Sequence, residues 1–359
     1  MGVAHALVAA VLLGVAGPAA AQAGRKAANV EAVEEESESP WLIVPVLSVD
    51  PKLGTSLGGM GGYMYHFDEK SRLSMLAANA QWTSTGSVIG GLFGTASWAE
   101  DQHRLVAAVM GGHIKNDYDD YLGSGVPLHS DSDLNLVVTR YLYRLKYDWF
   151  IGGQYLNANF SMTGQDPFDQ QVLDVLGMKG FTSGGVGLVV YHDSRDSDTS
   201  PTRGWVLNMN NMAFRSAFGG DKDFDTYRAD YKSYWSHGAG HVVALRQYNQ
   251  WTVDAPPSAF ASIHLRGYKQ GQYLGKNMSS LEAEERLRLA EKWSATAYVG
   301  VGCLYGGGKN CTDSENTFPA AGVGVQYILK PKDGIVANLE YAAGKAGNYG
   351  VYLKLGYGF

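Results

Sequence analysis

Residues Tyr349-Gly350-Val351-Tyr352-Leu353-Lys354-Leu355-Gly356-Tyr357-Gly358-Phe359 decide how the whole chain is read. Tyr349, Val351, Leu353, Leu355, Tyr357 and Phe359 fall on one face of an extended segment. Gly350, Tyr352, Lys354, Gly356 and Gly358 fall on the other. Successive side chains of a strand point to opposite faces, so this alternation means a sheet lying between two different solvents. Working back along the chain, Val323, Val325, Tyr327 and Leu329 oppose Gly322, Gly324, Gln326 and Lys330, with Ile328 out of phase. Trp293, Ala295, Ala297, Val299 and Val301 oppose Ser294, Thr296, Tyr298, Gly300 and Gly302. The stretch from 278 to 289 is compatible with a short helix. Read as a strand, it places Glu282, Glu284, Arg286 and Arg288 together on the inner face. Leu281, Ala283, Leu287 and Leu289 then face outward, with Glu285 as the one misfit. The strand reading is adopted here.

About 16 such segments, each roughly 9–15 residues, follow Trp41, the reach needed to cross a bilayer at a tilt. They begin near Trp41, Ser56, Arg72, Ser87, His103, Ser132, Tyr147, Gly184, Gly204, Phe224, His241, Asn277, Trp293, Ala320, Gly334 and Gly347. Connections alternate in length. Short ones fall at 68–70, 100–101, 146, 291 and 331–333; long ones at 116–130, 163–183, 254–276 and 305–318. Short turns at one rim, long loops at the other and aromatics near the segment ends describe a transmembrane barrel. The predicted fold is therefore all-β, a transmembrane antiparallel β-barrel of about 16 strands. A soluble sandwich would need an apolar second face, whereas here that face reads as Gly, Ser, Asn and charge.

Composition narrows the function. The 359 residues carry 29 Lys+Arg against 35 Asp+Glu, a formal charge of −6, without the basic excess that nucleic-acid binding needs. Glycine is enriched, 46 residues or about 13% against roughly 7% in average proteins. No HExxH, CxxC or GxxxxGK[ST] pattern is present, so no metal site, cofactor or enzymatic activity is expected. An Ala-rich apolar run ending in Ala21-Gln22-Ala23 reads as a signal peptide over residues 1–23. Residues 24–40 read as an acidic periplasmic linker, and residues 41–359 as the barrel.

Three further features carry local expectations. Pro45 lies inside the first strand and cannot donate to a ladder. The closing strand brings Gly356 and Gly358, which weaken packing. Together they predict either a weak seam or a local bulge. Cys303 and Cys311, eight residues apart across a hairpin, are expected to form a disulfide, with two free thiols as the alternative. His192 and Asp193 are adjacent on a strand, point to opposite faces and so do not form a catalytic pair.

The chain also resembles a known family, the BamA/TamA-type outer-membrane assembly barrels, also called bacterial surface antigens. Leu265-Arg266-Gly267-Tyr268, in the long loop before the twelfth segment, resembles that family's hydrophobic-Arg-Gly-aromatic loop motif. Asp193-Ser194-Arg195-Asp196 followed by Pro201-Thr202-Arg203-Gly204 resembles its hairpin motif. The terminal strand ending in Phe359 is similar to the carboxy-terminal signal by which barrels are recognised for assembly. The resemblance implies a loop folded into the lumen, with Arg266 docked on an acidic wall, Gly267 at the wall and Tyr268 filling space. Gly300 stands where many members have an acidic residue, so Glu282 and Glu284 are the expected partners. It further implies an integral protein of a Gram-negative outer membrane, assisting protein insertion or translocation through a lateral seam. The expected partners are outer-membrane lipids, unfolded or secreted client proteins and no nucleic acid. Fewer than about 20 residues separate Ala23 from Trp41, too few for the family's periplasmic POTRA domains. A barrel-only member is therefore expected, with a periplasmic or lipoprotein subunit as a candidate partner. The rival readings are a passive channel or structural barrel, and a lipid-acting barrel enzyme.

Overall fold

The computed structural model describes residues 40–50, 54–118, 126–175, 181–197, 200–330 and 335–355. The expected signal peptide, all but residue 40 of the linker, and Gly356, Gly358 and Phe359 lie outside the described residues. The strands are β1 (Trp41–Asp50), β2 (Gly54–Tyr65), β3 (Ser74–Thr83), β4 (Val88–Trp98), β5 (His103–Tyr118) and β6 (Leu128–Arg144). β7 (Trp149–Gly164), β8 (Phe181–Asp193), β9 (Gly204–Phe214), β10 (Phe224–His237), β11 (His241–Val253), β12 (Ala261–Ser262) and β13 (Leu274–Gly275) follow. β14 (Asn277–Arg288), β15 (Trp293–Tyr305), β16 (Thr317–Lys330), β17 (Ile335–Gly344) and β18 (Tyr349–Leu355) complete the chain. One helix, α1 (Pro167–Val175), sits in the β7–β8 connection.

All strands except β12 and β13 form one closed antiparallel barrel, in which β18 pairs back on β1. Each of the sixteen predicted segments corresponds to one barrel strand. The stretch from 278 to 289 is strand β14, with Glu282, Glu284 and Arg286 buried inside and Leu281 and Leu287 exposed outside. The outer wall carries the apolar belt, including Val137, Leu188, Trp293, Val299, Val301 and Val323, all exposed. Ile328 keeps the inward phase of Gln326 and pairs with the buried Val336, just before the β16–β17 register shifts between Ile328 and Lys330, a bulge that inserts one residue into the ladder. Glu285, the other misfit, sits near the rim, where its carboxylate is 2.8 Å from His237 Nε2.

Two features depart from the sequence reading. β5, β6 and β7 run 16, 17 and 16 residues, beyond the expected span. Their long-rim ends carry His113, Asp131 and Asp133 on the outside, with His113 Nδ1 2.8 Å from Asp133 Oδ1. The inner face is also not uniformly polar. Leu134, Leu136 and Val138 of β6 point inward and bury with Ile114, Leu156, Phe214, Phe224 and the loop residue Ala259. Ala259 of the long β11–β14 loop, with Ala255 at the edge, packs against this wall, so this part of the interior is a core rather than a water-lined surface.

The short rim is closed by tight turns. In Lys146-Tyr147-Asp148-Trp149, φ is 51° at Tyr147 and 62° at Asp148, and Trp149 N–H donates to the Lys146 carbonyl at 3.0 Å. Positive φ at both central residues matches the twist of the flanking strands. An arginine clasp joins these turns. Arg104 donates through Nε to Asp101 Oδ1 at 2.8 Å and through Nη2 to Oδ2 at 2.6 Å, and Arg144 also bonds Asp101. The Arg104 guanidinium lies 3.9 Å over the Phe150 ring.

Burial works to raise the Asp101 carboxyl, but the hydrogen bond and charge of Arg104, with Arg72 and Ser97 behind them, hold it below its ordinary value of 3.8. A lowered folded value means that this stabilisation is complete above pH 3.8 and is lost as pH falls through the folded value. Melting followed by tryptophan fluorescence should therefore be flat in this contribution from pH 7 to 4 and fall below it. Asp101→Asn should lower the melting temperature at pH 7 and show a shallower acid limb. On the belt, Val299→Arg should cost about 2–4 kcal/mol in denaturant titrations of the lipid-embedded barrel; an unchanged midpoint would refute the lipid-facing assignment.

Candidate functional site

The β11–β14 connection turns into the barrel. β12 and β13 pair through Ala261↔Gly275 and Ser262↔Leu274, forming a short hairpin whose tip, residues 263–273, enters the lumen. Ile263, Leu265, Tyr268 and Tyr273 of the tip pack with Tyr248, Met278, Tyr298, Leu304 and Phe318 of the wall in a second buried cluster. Small residues on the wall make this possible. A Cβ at Gly302 would lie 3.0 Å from Leu265 Cδ1, and one at Gly300 would lie 3.2 Å from Leu265 Cδ2. The missing acidic residue at position 300 thus leaves room for the loop's own leucine.

Arg266 reaches three carboxylates. Its Nη1 donates to Glu284 Oε2 and to Glu340 Oε1, both at 2.7 Å, and its Nε lies 3.5 Å from Glu282 Oε2. The guanidinium stacks 3.7 Å over the Tyr298 ring, and Tyr298 Oη donates to the Arg266 carbonyl at 2.8 Å. Arg266 is 9% exposed and the three glutamates 3–4%, so water screens little of this attraction. Taking such charges out of water is costly, and the pairing mainly fixes where the loop sits. Next to Arg266, Gly267 holds φ +90°. A Cβ there would approach the Ala342–Ala343 backbone of β17 to 3.1 Å. Its N–H donates to Tyr352 Oη of β18 at 2.9 Å. Tyr268 Oη donates to the Pro319 carbonyl at 2.5 Å and accepts from Lys345 N at 2.9 Å, its ring lying over Gly344.

The network continues from the latch in both directions. Arg246 grips Asp230 through Nε at 2.9 Å and Nη2 at 3.1 Å, and touches Glu282 at 3.5 Å. Arg286 donates to Glu284 Oε1 at 3.1 Å and, through Nη1, to the Pro201 carbonyl at 2.9 Å. Pro201 belongs to the β8–β9 hairpin, so Glu284 and Arg286 join the hairpin and the loop in one hydrogen-bonded chain. Within that hairpin, Asp193 receives Arg195 Nε and Nη2 at 2.9 Å each and Tyr191 Oη at 2.9 Å. Asp196 accepts from Thr202 N at 2.8 Å and Arg203 N at 3.2 Å. Gly204 opens β9 at φ +92°. His192 faces the other way and stacks on Trp205 at 3.8 Å.

The other sequence candidates lie apart. Pro45 pairs with Gly59 of β2, and β1 meets β18 at Val49↔Val351. Gly356, Gly358 and Phe359 are outside the described residues. Cys303 and Cys311 are joined as a disulfide beside the long rim, their Cα atoms 5.5 Å apart. The sequence reading did not name Glu340, Tyr298, Tyr352 or Arg286 as latch partners. A signal was present, since Tyr298 and Tyr352 are large rings on faces otherwise made of Gly, Ser, Thr and Lys.

The architecture defines a class: a sixteen-stranded transmembrane β-barrel of the outer-membrane type, with a loop latched inside. No protein-family model matches the sequence, and no curated protein matches it. Among solved structures the fold is similar to that of BamA from Haemophilus ducreyi lacking POTRA domains 1-3, at TM-score 0.57 and 12% identity. That match covers 89% of this chain and 69% of the other. It is also similar to CdiB from Acinetobacter baumannii, at TM-score 0.58 and 13% identity, over 88% of this chain and 59% of that one. CdiB from Escherichia coli gives TM-score 0.61 and 13% identity, over 89% and 63%. The chain thus spans about three fifths of the length of the two CdiB proteins, and the likeness is one of fold.

Arg266→Ala should leave Glu284 and Glu340 buried without their shared cation and release the loop. Limited proteolysis should then cut after Lys269, while the intact barrel should resist cleavage there. Arg266→Lys should be intermediate, because a compact ammonium cannot span three carboxylates and stack on Tyr298.

Proposed function

We propose that the chain is an integral barrel of a Gram-negative outer membrane that assists the insertion, assembly or translocation of other proteins. In this reading the β1–β18 junction is the lateral exit, and the loop from 254 to 276 is the latch that holds the barrel in its closed arrangement. One observation carries the proposal: the loop tip is tied to the closing strand itself, through Gly267 N–H and Tyr352 Oη. Tyr352 adjoins Val351, which pairs with Val49 across the junction. The loop is thereby tied to one of the two strands that form the junction.

The composition of β1 and its neighbour supports the same reading. Pro45 lacks the N–H that a ladder needs. On its other side β1 pairs with a glycine-rich strand, in which Gly58, Gly59, Gly61 and Gly62 face Val46, Pro45, Ile43 and Leu42. Yet β1 meets β2 in ten consecutive register pairs and β18, among the described residues, in one, Val49↔Val351, so the β1–β18 junction is the weaker flank of β1. The mechanism is non-covalent and requires no cofactor. Client chains would exchange strands or pass at the junction, and a periplasmic or lipoprotein subunit would present them. The rival passive channel is disfavoured by the buried loop and the apolar clusters inside the barrel, which fill space that a conducting pore would keep wet.

The register supplies the test. A Val49→Cys/Val351→Cys pair should cross-link β1 to β18 under oxidation. Membranes carrying the locked barrel should lose client assembly or export and recover it on reduction, with single-cysteine variants as controls. Undiminished activity in the fully cross-linked protein would remove the lateral-exit reading and leave a structural barrel.

A further inference from the structure

On the outer surface at the short rim, away from the latch, Arg203, Trp205, Tyr231, Ser233, Trp235 and Ser236 line a recess of ≈ 360 Å³. Trp205, Tyr231 and Trp235 stand outward on β9 and β10, in the plane where amphipathic rings meet lipid headgroups. The aromatic floor extends sideways, since Trp205 stacks on His192 at 3.8 Å and meets Trp149 at 6.0 Å. Ser233 shares the outward phase and pairs in register with Trp205. It is only 2% exposed, and its Oγ has no hydrogen-bond partner among the described residues. A hydroxyl buried against hydrocarbon without a partner carries a desolvation cost. The Arg203 side chain, just before β9, is exposed and makes one hydrogen bond, its Nε donating to Ser236 Oγ at 2.9 Å. Its backbone N–H donates to Asp196, but no carboxylate among the described residues pairs with its guanidinium.

We propose that this recess binds one glycerophospholipid of the short-rim leaflet. A guanidinium above an aromatic floor suits a phosphodiester, which it can grip at two oxygens. Ser236 aims that guanidinium. Ser233 donates to an ester oxygen below the phosphate, which gives its hydroxyl the partner the protein withholds. Trp205, Tyr231 and Trp235 pack the glycerol and the upper acyl chains. In barrel order β9 and β10 lie on the far side from the β1–β18 junction. A lipid bound there would hold the wall opposite the proposed exit in register with the bilayer. The inference rests on the membrane placement of the barrel but not on any client activity.

The test is native mass spectrometry of the delipidated barrel in detergent, titrated separately with dioleoylphosphatidylglycerol, dioleoylglycerol and inorganic phosphate. One phosphatidylglycerol should bind per barrel, dioleoylglycerol should not, and millimolar phosphate should not displace the lipid. Arg203→Gln should weaken binding about tenfold, as expected for loss of a charge-assisted bidentate contact, and Arg203→Lys should restore part of it. Ser233→Val, a second variant that leaves Arg203 in place, should also weaken retention. Heat-modifiable gel mobility reports that each variant folds. Equal binding by Arg203→Gln and Ser233→Val, or equal binding of dioleoylglycerol, would overturn the site. Displacement by phosphate alone would make it a free-anion site and overturn the lipid assignment. A chain that folds in buffer without detergent or lipid would instead overturn the membrane reading on which the inference stands.

Discussion

Three carboxylates on the inner wall, Glu282, Glu284 and Glu340, are almost wholly removed from water, and the structure must neutralise them. Like charges at this distance in a poorly screened interior repel strongly unless a cation is placed among them. The wall supplies Arg246 beside Glu282 and Arg286 beside Glu284, but the cation that all three carboxylates share is Arg266, which does not belong to the wall. It arrives on a loop, so full charge neutralisation in the lumen depends on the loop being inside. Much of the remaining architecture follows from this requirement. Gly300 and Gly302 are small enough to admit Leu265, Gly344 lies flat beneath Tyr268, and Gly267 lets the backbone come within contact of β17.

Glu284 has a second claimant, Arg286, which carries the connection down to the Pro201 carbonyl. The long-rim loop and the short-rim hairpin, separated by most of the barrel's height, therefore share one carboxylate. Chains of charged groups in a low-dielectric interior respond as a unit, because removing one member leaves its neighbours unpaired. A perturbation at the hairpin is thereby felt at the latch, without any element needing to slide.

The sequence made the strands legible because period-two patterning depends only on which neighbour faces lipid. Its two irregularities had local causes: Ile328 pairs with the buried Val336 beside a bulge, and Glu285 lies at a rim where His237 answers its charge. Arg266, Gly267 and Tyr268 stood out through the family resemblance, and Glu282 and Glu284 through their shared phase on one strand. Glu340 and Tyr352 were illegible as partners, because they come from strands more than seventy residues away and meet the loop only once the cylinder closes. The apolar cluster inside the barrel was missed for a related reason. Leu134, Leu136 and Val138 look like lipid-facing residues until the loop that covers them is placed.

The uneven lengths of the strands have a consequence for the surrounding lipid. β5 to β7 run 16 or 17 residues, while β1 to β4 run 10 to 12 over the described residues. At about 3.3 Å per residue and a tilt of roughly 45°, the tall side rises about 37–40 Å and the low side about 23–28 Å. The low side matches the roughly 25 Å apolar band of outer-membrane barrels, while the tall side lifts its His113 and Asp133 above that band. The rim is therefore uneven, standing clear of the hydrocarbon over β5 to β7 and level with it beside β1.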